Sequence, residues 1–254
     1  MNNTPLVSCI IPTKNRIEKA HDAIRSLLSQ SHKNIEIIII DDGSTPPFEI
    51  ADDLKTESRI RVFRMENSVG GARARNIGMK HVRGGFFCFL DDDDIYLPNK
   101  ISDLTDILIK NPEYDAAIGE CIILNTTTGE KSLTPQTNFS SLRNTLKNRV
   151  HNNSTVINSR IKNKISFNER LEKFQDTQFN TDLCFTFNVC YTPIAIAVWH
   201  VNWSENQITT IKSRFRNTKN YFRLVRHLAT TTKVPLRLLY WHFYKLTSFA
   251  IRMK

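Results

Sequence analysis

Four consecutive carboxylates, Asp91-Asp92-Asp93-Asp94, follow the apolar run Phe86-Phe87-Cys88-Phe89-Leu90 and precede Ile95-Tyr96-Leu97-Pro98. The run is short and continuously apolar, the pattern of a strand buried on both faces. The acidic turn therefore falls at a strand end. At roughly 5 Å and an effective dielectric near 20, each pair of like charges there repels by about 3 kcal/mol. A hard divalent cation relieves that repulsion, and magnesium-like ions typically use one or two carboxylates together with substrate phosphates. The residues by themselves fit a solvated acidic turn equally well, capping a helix that starts near Leu97.

Two further polar groups have the same placement. Pro12-Thr13-Lys14-Asn15 follows a strand expected over 6–11, and Asp41-Asp42-Gly43-Ser44-Thr45 follows one expected over 35–40. Between and after them, helical spacing over 15–31 (Ala20, Ile24, Leu27, Leu28), a short helix over 48–54 and a strand over 60–65 continue the pattern. A helix over 72–82, opened by Gly70-Gly71, leads to the strand at Phe86. This alternation predicts an α/β fold, a parallel sheet with helices on both faces. Ligands of such sheets bind beyond the carboxyl ends of the strands, so the three polar groups converge on one crevice.

A nicotinamide-type G-x-G-x-x-G turn is missing after the first strand, where Pro12-Thr13-Lys14-Asn15-Arg16 stands instead. Gly70-Gly71 with Arg73 and Arg75 has the composition to bring N–H groups and cations to a phosphate. It fits a plain helix start with solvated arginines as well.

Further along, the pattern predicts a helix over 97–111, a strand over 116–124 and a polar turn over 125–131. A helix over 140–150, a strand over 154–157, a helix over 177–185 with Asp176 at its N-cap, and a strand over 191–201 follow. The 254 residues are enough for one large α/β domain or two small ones. Residues 1–6 are polar, so no secretory leader is expected, and no run reaches the ~18 apolar residues of a membrane span. The five cysteines are odd in number and lack paired metal spacing. They read as buried thiols of a reducing compartment.

The net charge of +10 is unevenly distributed. No Asp or Glu follows Glu205, whereas eleven Lys and Arg do, from Lys212 to Lys254. The tail divides at Pro235. Before it, Tyr221, Leu224, Val225 and Leu228 form an apolar face opposite Lys219, Arg223 and Arg226. Beyond it, residues such as Leu238, Trp241, Phe243 and Tyr244 dominate, with Arg237, Lys245 and Arg252 on one stripe. That composition suits a membrane–water interface, where each basic residue adds about 1 kcal/mol at an anionic leaflet. A helix packed on the body is the other reading. Nucleic-acid motifs are missing, so no nucleic-acid partner is expected.

Taken together, residues 7–16, Asp41 to Thr45, Gly70-Gly71-Ala72-Arg73-Ala74-Arg75-Asn76-Ile77-Gly78 and Phe89 to Asp94 resemble the family 2 glycosyltransferases of GT-A fold. The resemblance spans the first ~125 residues in order and spacing. Residues 167–179 resemble the acidic motif ahead of that family's catalytic base, with Gln175-Asp176 where Glu-Asp is usual. The resemblance implies a Rossmann-like nucleotide-binding half over 1–125 and an acceptor-binding half over 126–205. Residues 206–254 would then be a basic, membrane-associating helical tail.

The roles it implies are specific. Pro12, Thr13, Asn15 and Asp42 would hold the nucleotide of a uridine diphosphate sugar, with Asp42 accepting from a ring N–H. Arg75, with Arg73 nearby, would face the phosphates. The metal motif maps to Asp91 and Asp93, Asp91 lying near the ribose and Asp93 binding Mn2+ or Mg2+; the four-carboxylate run keeps Asp92 a candidate. Asp176 would be the general base. Asn152-Asn153-Ser154 and His200 lie where the family shapes its acceptor pocket. The expectation is an inverting, metal-dependent hexosyltransferase, peripheral on the cytoplasmic face of an inner membrane. It would extend a lipid-diphosphate-linked saccharide for O-antigen or capsule. The alternative is a non-catalytic nucleotide-sugar-binding protein whose basic tail anchors it to membrane or nucleic acid.

Overall fold

Continuous apolar runs that alternate between two helical layers build the centre of the molecule. The computed structural model describes residues 4–134, 150–201, 214–232 and 234. The segment beyond Pro235 and the helix expected over 140–150, but for its last residue, lie outside the described residues.

Strands β1 (Val7–Thr13), β2 (Ile35–Asp41), β3 (Ile60–Arg64) and β4 (Phe86–Phe89) are parallel, in the order β3-β2-β1-β4. Their side chains alternate between two cores. Val7, Cys9, Ile11, Ile37, Ile39 and Cys88 face helices α1 (Ile17–Leu28) and α3 (Lys100–Lys110). Ile10, Ile38, Ile40, Phe87 and Phe89 face α2 (Gly71–Lys80) and α4 (Gln175–Thr186). Both faces of β1, β2 and β4 are covered, which is why these strands are largely apolar without alternation.

Beyond β4 the sheet is mixed. β8 (Thr155–Asn158) runs antiparallel to β4 and to β6 (Ala116–Asn125), and β9 (Val189–Val201) lies parallel to β6. The parallel sheet expected from the strand–helix alternation is thus β1–β4, and the strands beyond it add antiparallel pairing. A run buried on both faces has the same composition in either direction, so the residues carry no record of strand sense. Two short strands were also invisible to periodicity. β7 (Lys131–Leu133) pairs with β6, and the two-residue β5 (Ile95–Tyr96) pairs antiparallel with β9. β4 and β5 hold the acidic turn from both sides.

The packing of α2 on β1 depends on one glycine. A Cβ at Gly78 would lie 2.4 Å from Ile10 Cγ2. The missing side chain lets α2 lie close on the sheet and carries Arg75 to the strand ends.

The final helix, α5 (Arg214–Thr230), packs Tyr221, Leu224 and Leu228 inward; Leu224 and Leu228 join a small core with Leu171 and Val234. His227 Nε2 lies 2.7 Å from Asp182 Oδ2 on α4. The apolar face of this part of the tail is therefore occupied by the body, while Lys219 and Arg226 are exposed.

One buried charge opposes the fold. Lys100, at the start of α3, is buried with its Nζ 3.4 Å from the Tyr96 ring centroid and without a hydrogen-bond partner. Burial lowers its pKa to about 8. The unfolded chain binds that proton more tightly, so stability from this group rises with pH between about 8 and the ordinary value of 10.5. Lys100→Met is expected to stabilise the protein by about 2–3 kcal/mol at pH 7. Denaturant midpoints measured from pH 7 to 10 check this, and the advantage should shrink as pH rises.

Candidate active site

The acidic turn divides into two inward and two outward carboxylates. Asp92 is buried, accepting from Thr13 Oγ1 at 2.8 Å and from Arg16 Nη1 at 2.9 Å. Burial, reinforced by the charge of Asp93, raises it to about 6 against the pull of Arg16. Asp94 is buried as well, accepting from Asn153 Nδ2 at 2.5 Å and from the His200 N–H at 2.7 Å. Burial raises it too. Asp91 and Asp93 keep 18% and 28% of their side chains exposed.

Two guanidinium groups supply the neutralising charge the turn requires. Arg16 Nη1 bridges Asp92 Oδ1 and Asp93 Oδ2, both at 2.9 Å. Arg75 Nη2 lies 2.5 Å from Asp91 Oδ1, its guanidinium 5.5 Å from the Phe167 ring centroid. Burial would raise Asp91, but the Arg75 guanidinium outweighs it and holds its carboxyl below the usual range. Arg75 is thus a buried anchor of the turn. Arg73 is exposed, with its Nε 3.9 Å from Glu169 Oε2, so the two arginines have separate partners.

The other strand ends meet the same crevice. Pro12 and Thr13 stand opposite Ile40 and Asp41 in the β1–β2 register. Asn15 adopts φ 54°, donates its N–H to Ser44 Oγ at 2.9 Å and accepts from the Thr45 N–H at 2.8 Å. Asp41 is fully buried and organises its own loop, accepting from the Ser44 and Phe48 N–H groups and from Arg64 Nη1 at 2.7 Å. Asp42 reaches across to the entry of α2, where Ser68 Oγ, the Val69 N–H and the Gly70 N–H donate to it at 2.8, 2.5 and 3.0 Å. The Gly70 N–H, read from sequence as a possible phosphate donor, is already committed to Asp42.

Asp176 comes to the site on α4, which covers the same face of the sheet as α2. It is the second residue of α4, and the N-cap position belongs to Phe174, at φ 66°; the expected N-cap role is corrected. Glycine-free sequence gave no sign of a left-handed residue there. Asn152 Nδ2 donates to Asp176 Oδ1 at 2.6 Å, and Asn180 Nδ2 holds Asn152 Oδ1 at 3.0 Å. Gln175 Nε2 donates to the Leu171 carbonyl at 2.8 Å. His200 Nδ1 lies 2.9 Å from the Asp93 carbonyl, and the Asp94 carboxylate, 3.7 Å from that nitrogen, raises its pKa.

Two residues at the centre were not singled out from sequence. Arg16 was read only as part of a strand-end motif, and His151 not at all. His151 Nε2 is 3.8 Å from Asp91 Oδ2, and its ring stacks on Trp199 at 4.7 Å between centroids. Asp91, His151 and Asp176 each offer an atom within 4.8 Å of the other two. The signal available was position alone: His151 adjoins Asn152-Asn153-Ser154.

The sequence pattern described as Glycosyl transferase family 2 matches residues 8–189. An uncharacterized glycosyltransferase of Rickettsia felis is 50% identical over 96 residues, covering 37% of this chain and 16% of that protein. Glycosyltransferase GlyG of Streptococcus pneumoniae is 34% identical over 116 residues, covering 45% and 38%. The matched stretch is thus well under two thirds of the length of these relatives. An uncharacterized glycosyltransferase of Haemophilus influenzae matches more extensively, at 26% identity over 85% of this chain and 71% of its own. Among solved structures, Staphylococcus aureus TarS 1–349 in complex with UDP-GlcNAc superposes with a TM-score of 0.70 at 19% identity. The likeness covers 88% of this chain and 66% of that one, and it is one of fold.

Proposed function

The chain belongs to glycosyl transferase family 2, and from that premise we propose that it is an inverting hexosyltransferase using a uridine diphosphate sugar. The observation that carries the reading is the meeting of Asp176 with the strand-end carboxylate of Asp91 beside His151. The UDP and UDP-GlcNAc bound to TarS, whose fold this chain shares, support the donor class.

Asp176 would act as general base. Asn152 fixes one of its oxygens, which leaves the other to take the proton of an acceptor hydroxyl, a service worth typically 10²- to 10⁴-fold. A single base facing the side of the sugar away from the leaving group gives inversion. The bond to the diphosphate breaks with its electron pair on the phosphate oxygen, through an oxocarbenium-like state. The partial exposure of Asp91 and Asp93, against the burial of Asp92 and Asp94, supports the Asp91/Asp93 register for the metal. Their hard oxygens suit Mn2+ or Mg2+. When bound, such an ion would offset the charge that builds on the departing diphosphate. Arg75 keeps Asp91 ionised and in place for that role, and the bond from Thr13 Oγ1 draws Asp92 inward, out of it.

The acceptor we propose is a hydroxyl of a lipid-diphosphate-linked saccharide in surface polysaccharide synthesis, reached at the cytoplasmic face of a membrane. Among the described residues no helix is long and apolar enough to cross a membrane. Because α5 packs its apolar face on the body, membrane attachment is assigned to the cationic, aromatic residues beyond it. Deleting residues 234–254 should release the protein from anionic vesicles, most visibly at low salt. Unchanged co-sedimentation would remove that assignment.

The test of the activity is turnover of a panel of uridine diphosphate sugars, with manganese or with chelator, against a synthetic lipid-diphosphate-linked N-acetylhexosamine. Manganese-dependent consumption of one donor with a new β-glycoside is the expected result. Binding of a donor that is never consumed would favour the non-catalytic alternative.

A further inference from the structure

We propose that His151 donates from Nε2 to the nucleophilic oxygen of the acceptor, and that this oxygen sits between His151 and Asp176. The proposal rests on the transferase reading and deepens it.

The tautomer follows from the backbone. His151 precedes the short 3-10 turn Asn152–Ser154 and caps it, its Nδ1 accepting the Asn153 N–H at 3.3 Å. A nitrogen that accepts has its lone pair in the bond. In the neutral ring the proton is then on Nε2, the atom on the side of Asp91. A cation at this position would need the opposite tautomer, with the Nε2 lone pair free. The ring is therefore a donor here.

The spacing suits an oxygen. His151 and Asp176 each offer an atom within 4.8 Å of the other, so an oxygen between them can stand about 2.8 Å from both, which is hydrogen-bond range. At 3.8 Å from Asp91 Oδ2, His151 Nε2 is too far for a direct bond to that carboxylate. Its N–H is available to a third group. The ring is also held: its side chain is 12% exposed, and it stacks on Trp199 at an interplanar angle of 29°. Trp199 in turn packs on the α1/α3 core.

The geometry sorts the electrons of the acceptor oxygen. One lone pair accepts from His151 Nε2–H, the O–H bond points to Asp176, and the remaining lone pair is free for the anomeric carbon. As the new C–O bond forms, the O–H bond breaks and its proton goes to Asp176. His151 keeps its own proton throughout. Water can take the same seat, so slow hydrolysis of the donor should use the same residue.

That equivalence supplies a test independent of which saccharide is the acceptor. His151→Asn preserves a side-chain acceptor for the Asn153 N–H, and Asn is a good cap, but it lacks a donor at the reach of Nε2. His151→Gln places an amide N–H near that reach. Donor hydrolysis and transfer to the synthetic acceptor are measured for both, with donor KM, thermal midpoint and Mn2+ binding to the nucleotide-free protein by paramagnetic resonance.

Misplacing a nucleophile costs up to roughly 10²-fold. His151→Asn is expected to lower kcat of both reactions about 10- to 100-fold, with donor KM within about twofold and Mn2+ affinity unchanged. His151→Gln should recover a substantial part of that loss. Unchanged kcat in His151→Asn would overturn the proposal, as would a loss confined to donor KM. Weakened Mn2+ binding would make the ring a cation ligand instead. If the wild-type protein consumes no donor by either route, the transferase reading itself fails and takes this proposal with it.

Discussion

Asp176→Asn is expected to lower turnover about 10²- to 10⁴-fold while leaving the protein folded and able to bind donor. The substitution is close to isosteric, and its carbonyl oxygen can still accept from Asn152 Nδ2, now 2.6 Å from Asp176 Oδ1. What disappears is the carboxylate that takes the proton. Loss of an acidic residue from the first turn of α4 costs about 0.3–1 kcal/mol, too little to unfold the chain. Initial rates and donor KM, measured beside a thermal melt, separate the two effects. A variant with wild-type kcat would remove Asp176 from the role of base. Equal losses in kcat and donor affinity would make it a binding residue.

Arg75→Met is expected to produce the largest stability loss of any single change at the site. Arg75 and Asp91 form a buried pair at 2.5 Å, with side-chain exposures of 11% and 18%. Breaking such a pair from one side costs about 3–5 kcal/mol, because the remaining charge keeps its desolvation and loses its partner. Methionine retains much of the length of the stem, so the loss reports chiefly the missing guanidinium, with its bond to Asp91 and its place near the Phe167 ring. For a chain of this size the thermal midpoint should fall by about 10 °C. Activity should fall with it, since Asp91 is then free to protonate or turn. A midpoint shift under about 2 °C would mean that water or the neighbouring His151 replaces the guanidinium.

The two substitutions act on different parts of one construction. Asp176 belongs to α4 and Arg75 to α2, two helices that pack on the same face of the sheet. Gly78 bears on the second, since any side chain there would lift α2 from Ile10 and carry Arg75 away from Asp91.

The amino-acid sequence alone determined the layered α/β plan, because runs such as 35–40 are buried on both faces and have no other stable use. It determined that three polar groups stand at strand carboxyl ends, since each follows such a run directly. The combined spacing of those groups carried the family, now shown by the match over 8–189. Tertiary structure decided everything that depends on direction and distance. Strand sense is not written in composition, so the antiparallel β8 and the two-residue β5 came only with the sheet. Among four identical carboxylates, burial alone distinguishes Asp92 and Asp94 from Asp91 and Asp93. Arg75 differs from Arg73 only in which side of α2 meets the sheet. His151 lies in no periodic pattern at all. Its place between Asp91 and Asp176 exists because segments 60 and 25 residues away fold onto it, and a linear chain holds no trace of that juxtaposition.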